Sequence, residues 1–202
     1  MKKRVLSAMP SQTFAEGALD AAQQTGKLSY DGYKKVWSDE FNGDSLNRAD
    51  WNVETHEKGW VNNELQEYVD SAENIQVKDG KLIINPVKKV TDGDNGSTKE
   101  VVSYTSGRVS TQNKQTFIYG RFECRAKVPK GQGTLAYPAP FDQPFYIILN
   151  LAVGGSWVGN PNDETSFENN PYVIDYVRVY QKDSYDEDVK RPGKGSYTYI
   201  VK

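Results

Sequence analysis

The feature that most constrains this chain is a stretch of strict alternation between residues 117 and 133. Its polar side chains fall on one face, and the opposite, apolar face contains Ile118, Phe122, Cys124, Ala126 and Val128. This period of two predicts a half-buried β-strand over residues 117–128. Pro129 ends the strand, because proline cannot donate a hydrogen bond to a ladder. On this face we expect Cys124 to be a buried, structural thiol.

A second strong signal is the Asp79-Gly80 pair, which predicts a two-residue hairpin turn. Counting outwards places Val77 opposite Leu82, and a second apolar pair lies two residues further out on the same face. Residues 145–153 form an almost wholly apolar run that predicts a strand buried on both faces, and residues 172–180 predict another strand. No good amphipathic helix follows residue 33. Many short strands separated by turn residues therefore predict an antiparallel, all-β sandwich.

Composition excludes several classes of function. The net charge of −2 gives no electrostatic basis for binding nucleic acid or an anionic membrane surface. One cysteine excludes an intrachain disulfide, and one histidine, His56, argues against zinc sites and Ser/His/Asp triads. No stretch is long enough to span a bilayer. Aromatic residues make up 12% of the chain, which favours a packed β-rich core, with sugar stacking as the alternative.

The chain divides into three regions. Residues 1–33 are polar and predict a leader or linker, whose apolar run is too broken for a convincing signal peptide. Residues 34–181 form the predicted domain. Residues 182–202, acidic and then basic, predict a C-terminal linker or tail.

Seven segments, taken in chain order, resemble glycoside hydrolase family 16 and, within it, the laminarinase-like β-1,3-glucanases. These segments are residues 36–43, 62–66, 104–108, 119–123, 130–133, 144–155 and 175–180. The resemblance implies a jelly-roll β-sandwich of the concanavalin or lectin type, with a substrate cleft across its concave sheet. It also implies β-glucan as the polysaccharide partner and an extracellular place of action.

The main departure from the family is a missing catalytic strand. The family carries the pattern Glu-x-Asp-x-x-Glu after its Gly-Gln-Gly turn, and this sequence contains no such pattern. We expect an internal deletion near residues 133–140, which removes several central strands. Retaining hydrolysis requires two carboxyl groups about 5–5.5 Å apart. No other acidic pair fits, because Glu123 is flanked by arginines and Asp175 is alone on its strand. No catalytic residue is therefore assigned.

The resemblance places sugar contacts at Asn63, Arg108, Asn150 and Trp157, with Trp60 as a further cleft candidate. Amide and guanidinium groups can bind pairs of hydroxyl groups, and an indole ring can stack on a pyranose face. Core packing is the alternative for Trp157. Because Asn150 interrupts an apolar run, it must either find internal partners or face a wet cleft.

The resemblance also implies a structural Ca²⁺ ion, held by Glu40, the carbonyl of Gly80 and Asp175. Calcium takes several hard oxygen ligands, and carboxylates from both ends of the domain would tie its termini together. The alternative is that these acidic side chains pair with a nearby basic residue or cap a turn.

Three hypotheses about function follow. The chain is a β-glucan hydrolase by descent that is inactive without its catalytic strand, or it is a non-catalytic module that binds β-glucan. As a third possibility, it requires a partner chain, because removing central strands exposes sheet edges and apolar faces that favour self-association. In each case we expect an irregular link at residues 134–140 and a partly open cleft floor.

Overall fold

The computed structural model describes residues 30–92, 100–129 and 145–184, and within these ranges the chain forms strands and turns without a helix. The strands are β1 (Tyr33–Asp39), β2 (Asn52–Val53), β3 (Gln66–Tyr68), β4 (Ile75–Lys78), β5 (Lys81–Ile84), β6 (Val87–Thr91), β7 (Val101–Ser106), β8 (Arg108–Ser110), β9 (Arg121–Lys127), β10 (Ile148–Asn150) and β11 (Tyr172–Lys182). No helix long and apolar enough to cross a membrane occurs in these ranges. The link at residues 134–140 lies outside the described residues.

One sheet is organised around β11. This strand pairs antiparallel with β9 along one side and with both β1 and β5 along the other. The β4–β5 hairpin extends the sheet, and its observed register confirms the predicted pairs, Val77 with Leu82 and Ile75 with Ile84. Its turn residues have the positive φ values that a two-residue hairpin turn requires, 52° at Asp79 and 68° at Gly80.

The second layer places β8 between β2 and β10, and β7 between β3 and β6. A bridge between His56 and Tyr68 links the β2 segment to β3. Of these pairings only β3 with β7 is parallel. The core between the layers is well buried: Trp51 and Val109 from this layer and Leu82 and Ile174 from the β11 sheet are all 0% exposed. The predicted all-β sandwich is confirmed.

The strand predicted over residues 117–128 is interrupted, so that part of the prediction is wrong. β9 begins only at Arg121, because Tyr119 and Gly120 have φ values of 55° and 135°. Glycine is required at the second position, since a Cβ on Gly120 would lie 2.6 Å from the carbonyl oxygen of Tyr180.

The apolar face of β9 is only partly covered. Phe122 packs against Phe117 and Phe145, with ring centroids 5.9 Å and 4.7 Å apart. Cys124, however, is exposed, and Val128 is 56% exposed. The prediction of a buried thiol is therefore wrong, although Ala126, two residues further along the same face, packs against the core.

The apolar run at residues 145–153 is also shorter as a strand than predicted. Only Ile148–Asn150 forms β10, which pairs with β8. Leu149 and Leu151 are buried, at 6% and 2% exposure, whereas Ile148 is 38% exposed. The expected burial on both faces is therefore wrong at Ile148, because alternate side chains of a strand point to opposite faces and this layer covers only one of them.

Candidate functional site

Two loops pack against each other where β3 begins and β10 ends. The backbone N–H of Leu65 donates to the carbonyl of Val153 (2.8 Å), and that of Ser156 donates to Asn62 (2.7 Å). Gly155 permits this approach, since its φ is 97° and a Cβ there would lie 2.7 Å from the Asn62 carbonyl oxygen. The loop that carries Trp60 is thereby fixed against the loop that carries Trp157.

These loops border a pocket of about 280 Å³. It is lined by Trp60, Val61, Asn62, Glu64, Tyr68, Arg108, Asn150, Ala152 and Trp157. Trp60 and Trp157 are 51% and 60% exposed, which is unusual for side chains of this size. Exposed indole rings beside a group of polar side chains are typical of sites that stack flat, hydroxyl-bearing ligands.

The floor of the pocket comes from adjacent strands. Asn150 in β10 lies directly opposite Arg108 in β8. The Asn150 amide donates to the Tyr68 hydroxyl oxygen (2.8 Å), and that hydroxyl donates to Glu64 (3.3 Å). The polar residue in the apolar run is therefore hydrogen-bonded and also borders the pocket, so both conditions expected from the sequence hold at once.

One carboxylate oxygen joins two sides of the pocket. Glu54 Oε2 accepts a hydrogen bond from Arg108 Nε at 2.5 Å and lies 3.2 Å from His56 Nε2. The His56 ring stacks on Trp60, with centroids 3.5 Å apart and an interplanar angle of 5°. The Arg108 guanidinium lies 5.3 Å from the centre of the Trp60 ring. Glu54 therefore holds both the guanidinium and the histidine–tryptophan stack in place.

The environment of Glu54 keeps its carboxylate ionised. Burial alone would raise the pKa of Glu54, but the nearby Ser110 hydroxyl, the Arg108 guanidinium and His56 together lower it below 4.5. Its side chain is 17% exposed and that of Arg108 is 14% exposed, so water screens this pair only weakly.

The structure brings most of the predicted sugar-contact residues together. Arg108, Asn150, Trp157 and the additional candidate Trp60 all line the pocket. Asn63 does not, since its amide donates to the Ser156 hydroxyl at 3.0 Å, and its neighbour Asn62 lines the pocket instead. Both asparagines have a φ of 52°, and this left-handed turn decides which side chain faces inwards.

Sequence reasoning missed Glu54, His56, Glu64 and Tyr68. The signal for two of them was present, because Glu64 and Tyr68 flank Gln66 at intervals of two residues and so share one face of an extended segment. Glu54 and His56 are likewise two residues apart, directly after β2. Their partner Arg108 is 54 residues away from Glu54 in sequence, so no local pattern could reveal that pair.

The residues suggested for calcium lie around one junction in the β11 sheet. Glu40 directly follows β1, and Gly80 directly precedes β5. Because β1 and β5 share one side of β11, they lie end to end along it. Asp175 is at the irregularity of β11 between these two pairings.

The acidic side chains at this junction are paired with arginines. Both oxygens of Glu40 accept hydrogen bonds from Arg178, at 2.8 Å and 2.7 Å. Asp175 lies 3.2 Å from Arg125. Across residues 30–92, 100–129 and 145–184, no three His, Cys, Asp or Glu side chains form a metal-binding group. The junction suits a cation by position, but its side-chain oxygens are already held by guanidinium groups.

No protein-family model matches the chain. The glucan endo-1,3-beta-glucosidase A1 of Niallia circulans is 35% identical over 140 residues, which cover 64% of this chain and 19% of that protein. A glucan endo-1,3-beta-glucosidase of Cryptopygus antarcticus is 44% identical over 98 residues, or 48% of this chain and 34% of that protein. This chain thus spans about a fifth and about a third of these two relatives.

The beta-glucanase of Rhodothermus marinus is 25% identical over 254 aligned positions, which cover 74% of this chain and 85% of that protein. Since 74% of 202 residues is about 149, about 105 of the 254 positions hold no residue of this chain.

Solved structures show the same architecture. The catalytic domain of an endo-1,3-beta-glucanase (laminarinase) from Thermotoga petrophila superposes with a TM-score of 0.60 at 25% identity, covering 75% of this chain and 99% of that one. A non-specific endo-beta-1,3(4)-glucanase from family GH16, crystallised with a glucan oligosaccharide, also has a TM-score of 0.60 at 25% identity, covering 74% and 95%.

Replacing Glu54 should remove a pH-dependent contribution to stability. The folded-state pKa of Glu54 lies below its ordinary value of 4.5, so its stabilising effect is complete above that value and is lost as the pH falls through the folded pKa. We expect Glu54→Gln to lower the free energy of unfolding by about 1.5–3 kcal/mol at pH 7. We also expect a weaker dependence on pH below 4.5 than in the wild type.

Urea denaturation at a series of pH values measures both effects. Asp70→Asn is the matched control, because Arg48 lowers the pKa of Asp70 but both side chains of that pair are more than half exposed. It should change stability by less than about 1 kcal/mol. If the free energy of unfolding depends on pH equally in the wild type and in Glu54→Gln, the lowered pKa of Glu54 is contradicted.

Proposed function

Because the chain belongs to glycoside hydrolase family 16, among the laminarinase-like enzymes, we propose that its cleft binds β-1,3-glucan without hydrolysing it. The observation that carries this proposal is the pocket itself. Two exposed indole rings, Trp60 and Trp157, stand beside Arg108 and Asn150 at a fixed, partly enclosed site. The proposal concerns this domain, since the chain spans only part of its longer relatives.

Each side chain contributes a distinct interaction with a neutral sugar. Indole rings offer apolar faces to the C–H groups of a pyranose. The Asn150 amide uses one N–H for Tyr68, which leaves its second N–H and its oxygen without a partner in the described ranges. The Arg108 guanidinium is already oriented by Glu54, so little rotational freedom is lost when a ligand binds.

The absence of hydrolysis follows from the carboxyl groups. A retaining mechanism needs one group that stays ionised and one that carries a proton. The family pattern Glu-x-Asp-x-x-Glu occurs nowhere in the sequence. Of the two glutamates at the pocket, Glu54 has a lowered pKa and is unsuited to act as an acid, and Glu64 accepts hydrogen bonds from its own neighbours.

We expect laminarin to bind, with no reducing ends released above a buffer control. Trp60→Ala and Asn150→Ala should each weaken binding about tenfold, which corresponds to about 1.4 kcal/mol. Isothermal titration calorimetry measures the affinity, and a reducing-sugar assay measures turnover. Val36→Ala, an exposed valine on β1, is the control and should bind normally.

Two results would contradict the proposal in different ways. Turnover well above the buffer control would show that two working carboxyl groups exist, with Glu54 and Glu64 the first to replace. No detectable laminarin binding by a folded protein would exclude a glucan-binding module altogether.

An internal deletion near residues 133–140 is part of the same proposal. Its support is that, in the comparison with the Rhodothermus protein, about 105 of the 254 aligned positions hold no residue of this chain. The exposed Cys124 on β9 and the exposed Val128 directly after it also support a missing cover. Such a face favours self-association or a partner chain. An extracellular place of action is proposed on family membership alone.

We further propose that one Ca²⁺ ion stabilises the junction of β1, β5 and β11. Its support is the convergence of Glu40, Gly80 and Asp175, which lie far apart in sequence. Because the Glu40 carboxylate is bound to Arg178, backbone carbonyls must supply a large share of the ligands.

Calcium should therefore raise the melting temperature relative to the same protein in excess chelator, because an ion that binds only the native state stabilises it by mass action. In Asp175→Asn we expect this difference to vanish. Asp163→Asn, in an exposed loop, should retain it. Thermal melts followed by circular dichroism provide the measurement, and equal melting temperatures with calcium and with chelator would exclude the ion.

A further inference from the structure

Glu64 is a carboxylate at the pocket that has no cationic partner within the part of the chain that the structure describes. Its hydrogen-bond donors are Asn62 (3.5 Å), Gln66 (2.8 Å) and the Tyr68 hydroxyl (3.3 Å), and all three are neutral. Neutral donors hold the carboxylate in one orientation without cancelling its charge. Glu64 is also a direct part of the pocket lining, so a ligand experiences that charge at close range.

The positive charge in the pocket, by contrast, is already matched. Arg108 is bound through Nε to Glu54 at 2.5 Å. Among the residues that the structure describes, the Arg, Lys, Asp and Glu side chains that line the pocket are Arg108 and Glu64, and Glu54 pairs with Arg108 behind it, so two carboxylates accompany one guanidinium. Both partners of the Arg108 pair are mostly buried, so the pair remains together when a ligand enters.

The pKa of the Tyr68 hydroxyl is sensitive to the charges of both Glu64 and Arg108. Its pKa is raised, first by burial and next by the negative charge of Glu64. The Arg108 charge acts in the opposite direction and is the smaller of the two charge effects. The direction of the Tyr68 pKa shift therefore agrees with the geometry, in which Glu64 Oε2 lies 3.3 Å from the Tyr68 hydroxyl oxygen.

We propose that Glu64 is a specificity-determining residue, a fixed negative charge that restricts this pocket to neutral glycans and excludes sulfated or carboxylated ones. The inference rests on the proposed function, because it presumes that the pocket binds a glycan. Like charges brought together in a partly buried site oppose binding strongly, and specificity arises as much from such repulsion as from attraction to the correct ligand.

The test compares laminarin with sulfated laminarin prepared from the same batch, so that chain length and linkage are constant. At low ionic strength we expect the wild type to bind the sulfated polymer at least about tenfold more weakly. The difference should shrink in 0.5 M salt, because screening weakens charge repulsion but leaves steric exclusion unchanged. Affinities are measured by isothermal titration calorimetry.

Two variants test whether Glu64 is the residue that weakens the binding of sulfated laminarin. Glu64→Gln retains the shape and one acceptor oxygen for the Gln66 and Tyr68 donors but removes the charge, so the affinities for laminarin and sulfated laminarin should come within about threefold of each other. Glu67 is on β3, but it is exposed and does not line the pocket. Glu67→Gln should therefore have the same ratio of affinities for laminarin and sulfated laminarin as the wild type. Near-ultraviolet circular dichroism checks that each variant is folded.

The outcomes separate this inference from the proposed function. If the wild type binds laminarin and sulfated laminarin equally at low salt, the proposed exclusion of charged glycans by Glu64 is wrong, and the proposed binding of glucan is supported. If it binds neither polymer, both proposals fail. The ratio of the two wild-type affinities, for laminarin and for sulfated laminarin, can be measured at low and at high salt without any variant. An unchanged ratio contradicts the inference even if Glu64→Gln does not fold.

Discussion

The pairing of β11 with three other strands is the constraint on which the rest of the structure depends. β11 spans eleven residues, Tyr172–Lys182, and hydrogen-bonds to β9 on one side and to β1 and β5 on the other. The last strand of the described chain is therefore paired with the first. The buried Arg178 on β11 binds the partly exposed Glu40 after β1 through two hydrogen bonds, which fixes the end of β1 to this sheet.

The pocket depends on this sheet through the core. Ile174 and Leu82 of the β11 sheet pack in the same cluster as Val109 of β8, and Val109 directly follows Arg108. Alternation along β8 points Val109 into the core and Arg108 to the pocket side. The position of the guanidinium is thus set by core packing, and its orientation is set by Glu54. This division explains how the pocket side chains are held in place among the described residues.

Local patterns predicted the fold well wherever a strand and its partner are close in sequence. The Asp79-Gly80 turn fixed the β4–β5 register to the residue, because turn geometry and apolar pairing agree there. The family motifs also placed Arg108, Asn150 and Trp157 at one site. The hairpin register follows directly from strand alternation and turn chemistry, and the shared position of the three side chains agrees with the resemblance, whereas their contact with a sugar stays a prediction.

The failures concern properties that alternation cannot encode. The pattern on β9 identifies which face is apolar, but not whether another layer covers it, and Cys124 is exposed for that reason. In the loop before β3, two consecutive left-handed residues direct Asn62 rather than Asn63 into the pocket. Glu54 was missed because its role exists only through a partner brought near by the sheet. The first and third failures thus concern tertiary contacts between distant segments, and the second concerns a local backbone conformation.

A crystal structure of the protein with a laminarin-derived hexasaccharide tests the central claim most directly. The account predicts an uncleaved oligosaccharide in the pocket, with sugar rings on Trp60 and Trp157 and hydroxyl groups bound by Arg108 and Asn150. Cleaved products in the pocket would contradict the loss of hydrolysis. An intact oligosaccharide bound elsewhere, with the pocket accessible and empty, would contradict the assignment of the pocket as the glucan site.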